Sequence, residues 1–420
     1  MHSFLLLALA LTPAEEKIAR AVDARQATDV ALLERIVNIN SGSLNVAGVR
    51  QVADVLKPEF ERLGFSVRLV QAADKRGPHL IAERKGTRGK RVLLIGHLDT
   101  VFEPSHPFQR FSRQGPLAIG PGVNDMKGGL VIILSALNAL HASGGLEGST
   151  IAVVLTGDEE KAGSPLAVAR RDLIQAGKQS DVALCFEGTA RVNGADYITV
   201  SRRSSFGWTL RVSSVSGHSS QIFSKEMGPG AIYEIARILN EFETQLRDPL
   251  LTYSPGLIVG GTSAKLDESG ENGVAAGKDN VVAREAAATG DIRAITPEQL
   301  ARTEAKMKAI VARHAPTTKA EITFDEGYPP MAPTEGNRKL AAQLNEVNRA
   351  LGFKEEPELD PLARGAGDIS FVAADVDSLS GLGMSGENSH AAGESADLDR
   401  LPIYAKRAAL FIYRLTSVAK

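Results

Sequence analysis

The sequence predicts an α/β fold, a three-layer α/β/α domain interrupted by a smaller α+β domain of ferredoxin-like order. Three observations carry this. Continuous apolar runs, such as Thr150 to Leu155 and Asp181 to Phe186, read as strands buried on both faces and alternate with helical patterns. From about residue 198 the pattern changes: Ile198 to Val215 alternates apolar and polar residues, as a half-exposed antiparallel strand does. The first pattern then resumes beyond residue 328. At roughly 150 residues per domain, 420 residues hold two or three domains.

At the N-terminus, Phe4 to Leu11 is an apolar run followed by small residues and Pro13. It falls short of the about 20 residues that span a bilayer. It reads as a signal-peptide core, with an Ala-Leu-Ala cleavage site at Ala8 to Ala10, although Lys and Arg are missing before it. Residues 1–24 are therefore expected to hold a signal peptide and the start of the first helix, and the protein to be periplasmic or secreted, otherwise cytoplasmic. One long helix is expected over Ala14 to Asn40, and another over Gly48 to Leu63, stopped by Gly64. Strands follow at Phe65 to Val70, Leu80 to Glu83 and Arg91 to Ile95, then an apolar helix from Gly128 to Ser143. The inserted segment reads strand (198 to 215), helix (230 to 246), strand (251 to 259), strand (280 to 295), helix (297 to 314), strand (320 to 324). That is the order of a split βαβ unit, with a Gly-rich polar insert at Gly260 to Lys278. Helices at Asn337 to Leu351 and Pro402 to Ala419 complete the outer domain. The expected boundaries are 25–197 with 329–420 for the outer domain and 198–328 for the insert.

Composition narrows the function. Lys and Arg number 48 against 50 Asp and Glu, a net charge of −2, which argues against a nucleic-acid partner. No stretch reads as a stable membrane span. A single cysteine, Cys185, excludes a disulfide scaffold and a Cys-based zinc finger, so any metal must be held by His and carboxylates. There are only eight His.

Five places gather such residues. In Leu93-Leu-Ile-Gly-His97-Leu-Asp99, the i, i+2 spacing on a strand puts His97 and Asp99 on one face, where Asp99 can accept the second ring N–H of a ligating His97. Gly120-Pro-Gly-Val-Asn-Asp125 is a tight turn that aims one carboxylate; its spacing is not that of a phosphate loop. Thr156-Gly-Asp158-Glu159-Glu160 puts three carboxylates after a buried strand, which is costly without a cation. Glu187 follows the Asp181 to Phe186 strand, at the end where open α/β sheets bind ligands. Ser385 to Glu394 is a polar loop carrying His390. Singly, each reads as readily as a surface loop. Jointly, two His and three carboxylates at one sheet edge suit a pair of zinc-like ions.

As a set, GHLDTV, GPGVNDMKGG, the DEE triplet, Glu187 and His390 resemble the co-catalytic di-zinc metallopeptidase family of glutamate carboxypeptidase, acetylornithine deacetylase, succinyl-diaminopimelate desuccinylase and aminoacylase, and most nearly its bacterial glutamate carboxypeptidase branch. The resemblance implies that Asp125 bridges two divalent ions, most simply Zn (Co or Mn otherwise), with Glu160 and His390 on one and His97 and Glu187 on the other. It implies that Glu159 is the general base and that Asp99 orients His97. In the inserted lid or dimerisation domain, Ser216-Gly-His218 matches a family motif whose His reaches the partner subunit's site and steadies the oxyanion. Asn280 and Arg293 match lid residues that contact substrate. Gly365-Ala-Gly-Asp368 resembles a Gly-rich Asp motif without its usual Ser or Thr, and Asp368 is read as structural. Tyr328-Pro-Pro-Met331 departs from the Arg-Pro segment of the glutamate-releasing branch.

The expected activity is hydrolysis of an amide bond next to a free carboxylate, in a peptide or N-acyl amino acid, by a metal-bridging hydroxide with Glu159 as base. The expected assembly is a homodimer through the lid. An exopeptidase of carboxypeptidase or dipeptidase type is the first reading and an N-acyl-amino-acid deacylase the second. A catalytically dead binding protein would be expected to have lost a ligand or Glu159, and none is lost. A serine hydrolase would need a GxSxG elbow; Gly383-Met-Ser385-Gly386 breaks off at Glu387.

Overall fold

The computed structural model describes residues 11–417 apart from 72 and 74. The signal-peptide core expected at Phe4 to Leu11 lies outside the described residues but for Leu11. The chain divides into two compact units. One is Met1–Ser201, Pro333–Asp360 and Gly367–Lys420; the other is Arg202–Ala332 with Pro361–Ala366.

The first unit is built on a six-stranded sheet in the order Ser66–Val70, His79–Arg84, Ser149–Thr156, Arg88–His97, Val182–Cys185, Ser378–Leu379. Its inner strands run parallel: Arg88–His97 lies between Ser149–Thr156 and Val182–Cys185. The register sets His97 opposite Thr156 and Ile95 opposite Cys185. The chain therefore leaves all three strands at one level, and Gly157 to Glu160 and Glu187 emerge beside His97. These strands are apolar along their length because both faces are covered; Leu93, Leu94, Val153 and Leu184 are buried.

Helix Lys127–Ser143 is buried along all of its first fourteen residues, Lys127 to Leu140. A helix apolar all round belongs inside a core. It ends at Gly144, whose left-handed φ of 82° suits glycine. The single N-terminal helix expected over 14–40 is two helices, Pro13–Asp23 and Gln26–Val37. The first starts on a complete Thr12–Glu15 capping box with Pro13 at its first position. Its amphipathic face, Ile18 and Val22, packs into the same core as Leu33 and Ile36, so a break at Ala24 and Arg25 leaves both apolar stripes buried.

In the second unit, four antiparallel strands are ordered Thr252–Gly261, Glu285–Arg293, Phe206–Ser214, Thr318–Phe324. Helices Gly230–Gln245 and Pro297–Ala312 supply Ile235, Ile238, Phe242, Met307 and Ile310 to a core around Trp208. The strand expected from Ile198 begins only at Phe206, because Ile198 and Val200 are buried in the first unit's core. The Gly260–Lys278 insert holds a hairpin, Ser263–Leu266 with Gly273–Ala276. Among the described residues no helix is long and apolar enough to cross a membrane.

Candidate metal centre

Seven side chains meet at the strand ends of the first unit. Asp125 stands at the centre: its Oδ1 lies 3.1 Å from His97 Nε2 and its Oδ2 3.0 Å from His390 Nε2. Glu187 Oε1 is 3.4 Å from His97 Nε2, and Glu160 Oε2 is 3.2 Å from His390 Nε2. Each imidazole thus faces Asp125 and one further carboxylate. The ligand atoms of His97, Asp125 and Glu187 lie within 4.8 Å of one another, as do those of Asp125, Glu160 and His390, and those of His97, Glu159 and Glu160.

Asp99 is buried behind this group and joins its halves. Its carboxylate lies 3.3 Å from His97 Nδ1 and accepts the backbone N–H groups of Glu159 and Glu160, each at 3.0 Å. The Ser43 hydroxyl donates a further bond at 2.6 Å. A carboxylate with so many donors is fixed in one rotamer, and it holds the imidazole and the Glu159–Glu160 backbone in one frame. Asp158, next in sequence, turns away. Its Oδ1 accepts from the buried Arg170 guanidinium at 2.7 Å, whose Nε also donates to Asp368 at 2.7 Å. Arg170 supplies the cation that the third carboxylate of the triplet needs.

The electrostatics show strongly opposed demands. Burial by itself would lower the His97 pKa, but hydrogen bonds with the Asp125, Asp99 and Glu187 carboxylates push it well above the usual range. His390 is pushed up to about 11 by its bonds with Asp125 and Glu160. Burial works to raise Asp125, yet His390 and His97 hold it well below ordinary carboxylates. Glu160 is pushed up to about 7, chiefly by burial. Glu159 is pushed well above the carboxylate range by burial and by the charges of Glu187, Glu160 and Asp368, against the pull of His97. A cluster that holds protons this tightly is short of positive charge. Two divalent ions would supply that charge and release the protons.

The donor set fits such ions: two imidazoles, oxygen donors and no thiolate, around a central carboxylate with one oxygen toward each side. Glu160 Oε1 is buried without a hydrogen-bond partner, as a carboxylate oxygen reserved for an ion would be.

The remaining expected residues belong to the second unit. His218 and Asn280 come together there, bridged through Val281, with Ser219 N–H donating to Asn280 C=O at 2.9 Å. The exposed His218 ring bonds Ser220 Oγ at 2.8 Å. Arg293 stands apart, at the far end of strand Glu285–Arg293, with its Nε donating to Asp291 at 2.8 Å. Sequence reasoning passed over Ser43, Arg170 and the buried Glu394 that follows the His390 turn. Only Glu394 carried a signal, as the acidic end of the His390 loop.

Comparison with known proteins gives the family and the fold. The model of peptidase family M20/M25/M40 matches residues 93–414. Carboxypeptidase G2 of Pseudomonas sp. (strain RS-16) is 27% identical over 396 residues, covering 91% of this chain and 88% of that protein. Succinyl-diaminopimelate desuccinylase of Novosphingobium aromaticivorans is 33% identical over 198 residues, 45% of this chain and 51% of that protein. The crystal structure of aminopeptidase PepT from Bacillus cereus shares the fold, with a TM-score of 0.72 at 17% identity over 93% of this chain and 98% of that one. With the match running from within strand Arg88–His97 through the insert into the last helix, the chain belongs to peptidase family M20/M25/M40 and is a metal-dependent hydrolase of the peptidase and amidohydrolase class.

Proposed function

We propose that the chain hydrolyses the amide bond next to a free carboxylate in small peptides or N-acyl amino acids. The observation that carries this is Asp125 set between two imidazoles, each with its own second carboxylate, while Glu159 lies beside them. His97 and Glu187 would hold one divalent ion, Glu160 and His390 the other, and Asp125 both. When bound, such ions lower the pKa of water from about 15.7 towards 7 and polarise the scissile carbonyl. Glu159, beside His97 and Glu160, takes a proton from the attacking water and passes it to the leaving nitrogen. Asp99 keeps His97 and the Glu159 backbone in register. His218 donates to the developing oxyanion, Asn280 contacts the substrate, and Arg293 clamps its free carboxylate. Zn suits the donors best, with Co or Mn as alternatives.

We extend this to a C2 homodimer through the second unit, with His218 acting across the dimer. Strand Thr252–Gly261 is an edge of its sheet; Ile258 is exposed on it and Ile232 is exposed next to its Gly260. Exposed apolar edges of this kind are usually covered. Export rests on the Phe4 to Leu11 run alone and is tested by sequencing the N-terminus of mature protein.

The deciding experiment screens dipeptides and N-acyl amino acids on enzyme stripped with EDTA and then reloaded with Zn, Co or Mn. Hydrolysis should vanish on stripping and return on reloading. Full activity in metal-free protein would overturn the reading. Cleavage of N-acyl amino acids but not dipeptides would select the deacylase form.

A further inference from the structure

Glu394 is a fully buried carboxylate that the mechanism above does not use. Its Oε2 accepts the N–H of Gly122 at 2.9 Å, and its Oε1 accepts those of Asn124 and Asp125, both at 2.8 Å. Its own carbonyl accepts the N–H of Gly120 at 3.0 Å. One residue therefore takes four backbone hydrogen bonds from the turn that presents Asp125. The turn can converge its N–H groups in this way because Gly122 adopts a left-handed φ of 79°. A Cβ there would come within 2.8 Å of Thr100 Cγ2.

On the other side, Glu394 closes the loop that presents His390. Its N–H donates to Ala391 C=O, and Ala391 N–H donates to Asn388 C=O. A second stitch joins the same two segments, from Asn124 Nδ2 to Ser389 Oγ at 2.8 Å. Strand Ser395–Asp397 follows at once and pairs Ser395 with Ile119, next to Gly120. Asp125 and His390 are 265 residues apart in sequence, yet the elements presenting them are locked to each other through Glu394.

We propose that Glu394 is a positioning residue of the metal centre, setting the spacing between the Asp125 carboxylate and the His390 imidazole. The proposal rests on the metal reading above. A carboxylate suits the task because it can accept from three amides at once; an amide side chain offers one acceptor oxygen and turns an NH₂ against the remaining N–H groups. Residues that orient ligands without touching the metal typically cost 10–100-fold in metal affinity when changed.

The test uses the whole chain, stripped with EDTA and titrated with Co²⁺ against a chromophoric chelator, with the cobalt d–d absorption read in parallel. Glu394→Gln should weaken Co²⁺ binding about 10–100-fold, alter the absorption bands and speed amide exchange at Gly122, Asn124 and Asp125. The control is Asp29→Asn, which removes another buried carboxylate of the same unit, one whose hydrogen bonds go to Ser135 and Arg25 and not to the turn or loop that presents a ligand. It should lower thermal stability and leave Co²⁺ affinity unchanged. Wild-type Co²⁺ affinity and spectrum in Glu394→Gln would overturn the proposal, as would an equal loss of affinity in Asp29→Asn. If Glu394→Gln does not fold, Glu394→Asp, which keeps the charge but shortens its reach, is read by the same criteria. A wild-type chain that binds no Co²⁺ would overturn the metal reading and this proposal together; wild-type binding with unchanged variant binding overturns this proposal alone.

Discussion

Around His97, polar side chains are buried and answer to several partners at once: Asp99 takes donors from Ser43, Glu159 and Glu160 as well as facing the imidazole. Around His218 the arrangement is open. That ring is exposed and bonds Ser220, two residues on, and Asn280 is exposed beside it. The first unit gathers its polar groups at the ends of parallel strands, with the Asp125 turn and the His390 loop brought against them. The second carries them on turns and strand ends of an antiparallel sheet with one face in water. On the function proposed above, the multiply bonded groups around His97 would hold charge without reorganisation, and the open His218 and Asn280 would meet substrate.

The largest expected effect tests the rigid side. Glu159→Ala should lower kcat by about 10²–10⁴-fold while metal content stays at the wild-type level. Metal analysis alongside the assay separates loss of a base from loss of a ligand. Retained activity would remove Glu159 from its role and with it the claim that the buried unit does the chemistry.

Next comes the open side. His218→Ala should lower kcat about 10²–10³-fold, as loss of an oxyanion donor does. Mixing this variant with Glu159→Ala after dissociation should restore up to about a quarter of wild-type activity, because half the reassorted dimers pair one intact Glu159 with one intact His218 across a two-fold interface. Failure to complement, with dimers shown by light scattering, would mean that His218 serves its own chain.

Much of the rigid unit was legible in the sequence because strand periodicity is local. His97 and Asp99 share a strand face, and Glu187 follows five consecutive apolar residues, Val182 to Phe186. The partners that make the centre rigid were not legible. Ser43 lies 56 residues from Asp99, and Arg170 lies 198 from Asp368. No periodicity links such pairs; only the folded sheet does. The break at Ala24 was hidden for a similar reason, since the helical pattern runs through it and only tertiary packing divides the two helices.

Arg293 offers a milder test. Its guanidinium is half-buried and already bonds Asp291, so it is oriented without being sealed in. Arg293→Ala should raise KM about 10–100-fold for substrates with a free carboxylate and little for the same substrates capped as amides. Arg293→Lys should rescue only in part, because an ammonium cannot make the paired bond. Equal losses on both substrate forms would assign Arg293 to the fold.

The smallest effect compares the stability of the two units directly. Glu15 of the first accepts from Arg414 at 2.7 Å and from Thr12 N–H at 2.8 Å, with a side chain only 5% exposed. Glu241 of the second accepts from Arg237 and Arg313, each at 2.6 Å, and is 21% exposed. Burial works to raise both pKa values, but the bonds with these arginines outweigh it and leave both lowered. A carboxyl whose folded pKa is depressed gives stability that is fully present above its unfolded value of about 4.3 and is lost as pH falls through the folded value. At neutral pH, Glu15→Gln should therefore cost about 1–2 kcal/mol and Glu241→Gln about 0–1 kcal/mol, since the more exposed pair is better screened. Both penalties should shrink as unfolding is followed from about pH 6 down to pH 3. A Glu15→Gln penalty that stays constant over that range would show that packing of the capping box, and not its charge, holds the first helix in place. Equal penalties for the two variants at neutral pH would mean that the contrast in burial between the units does not extend to their outer ion pairs.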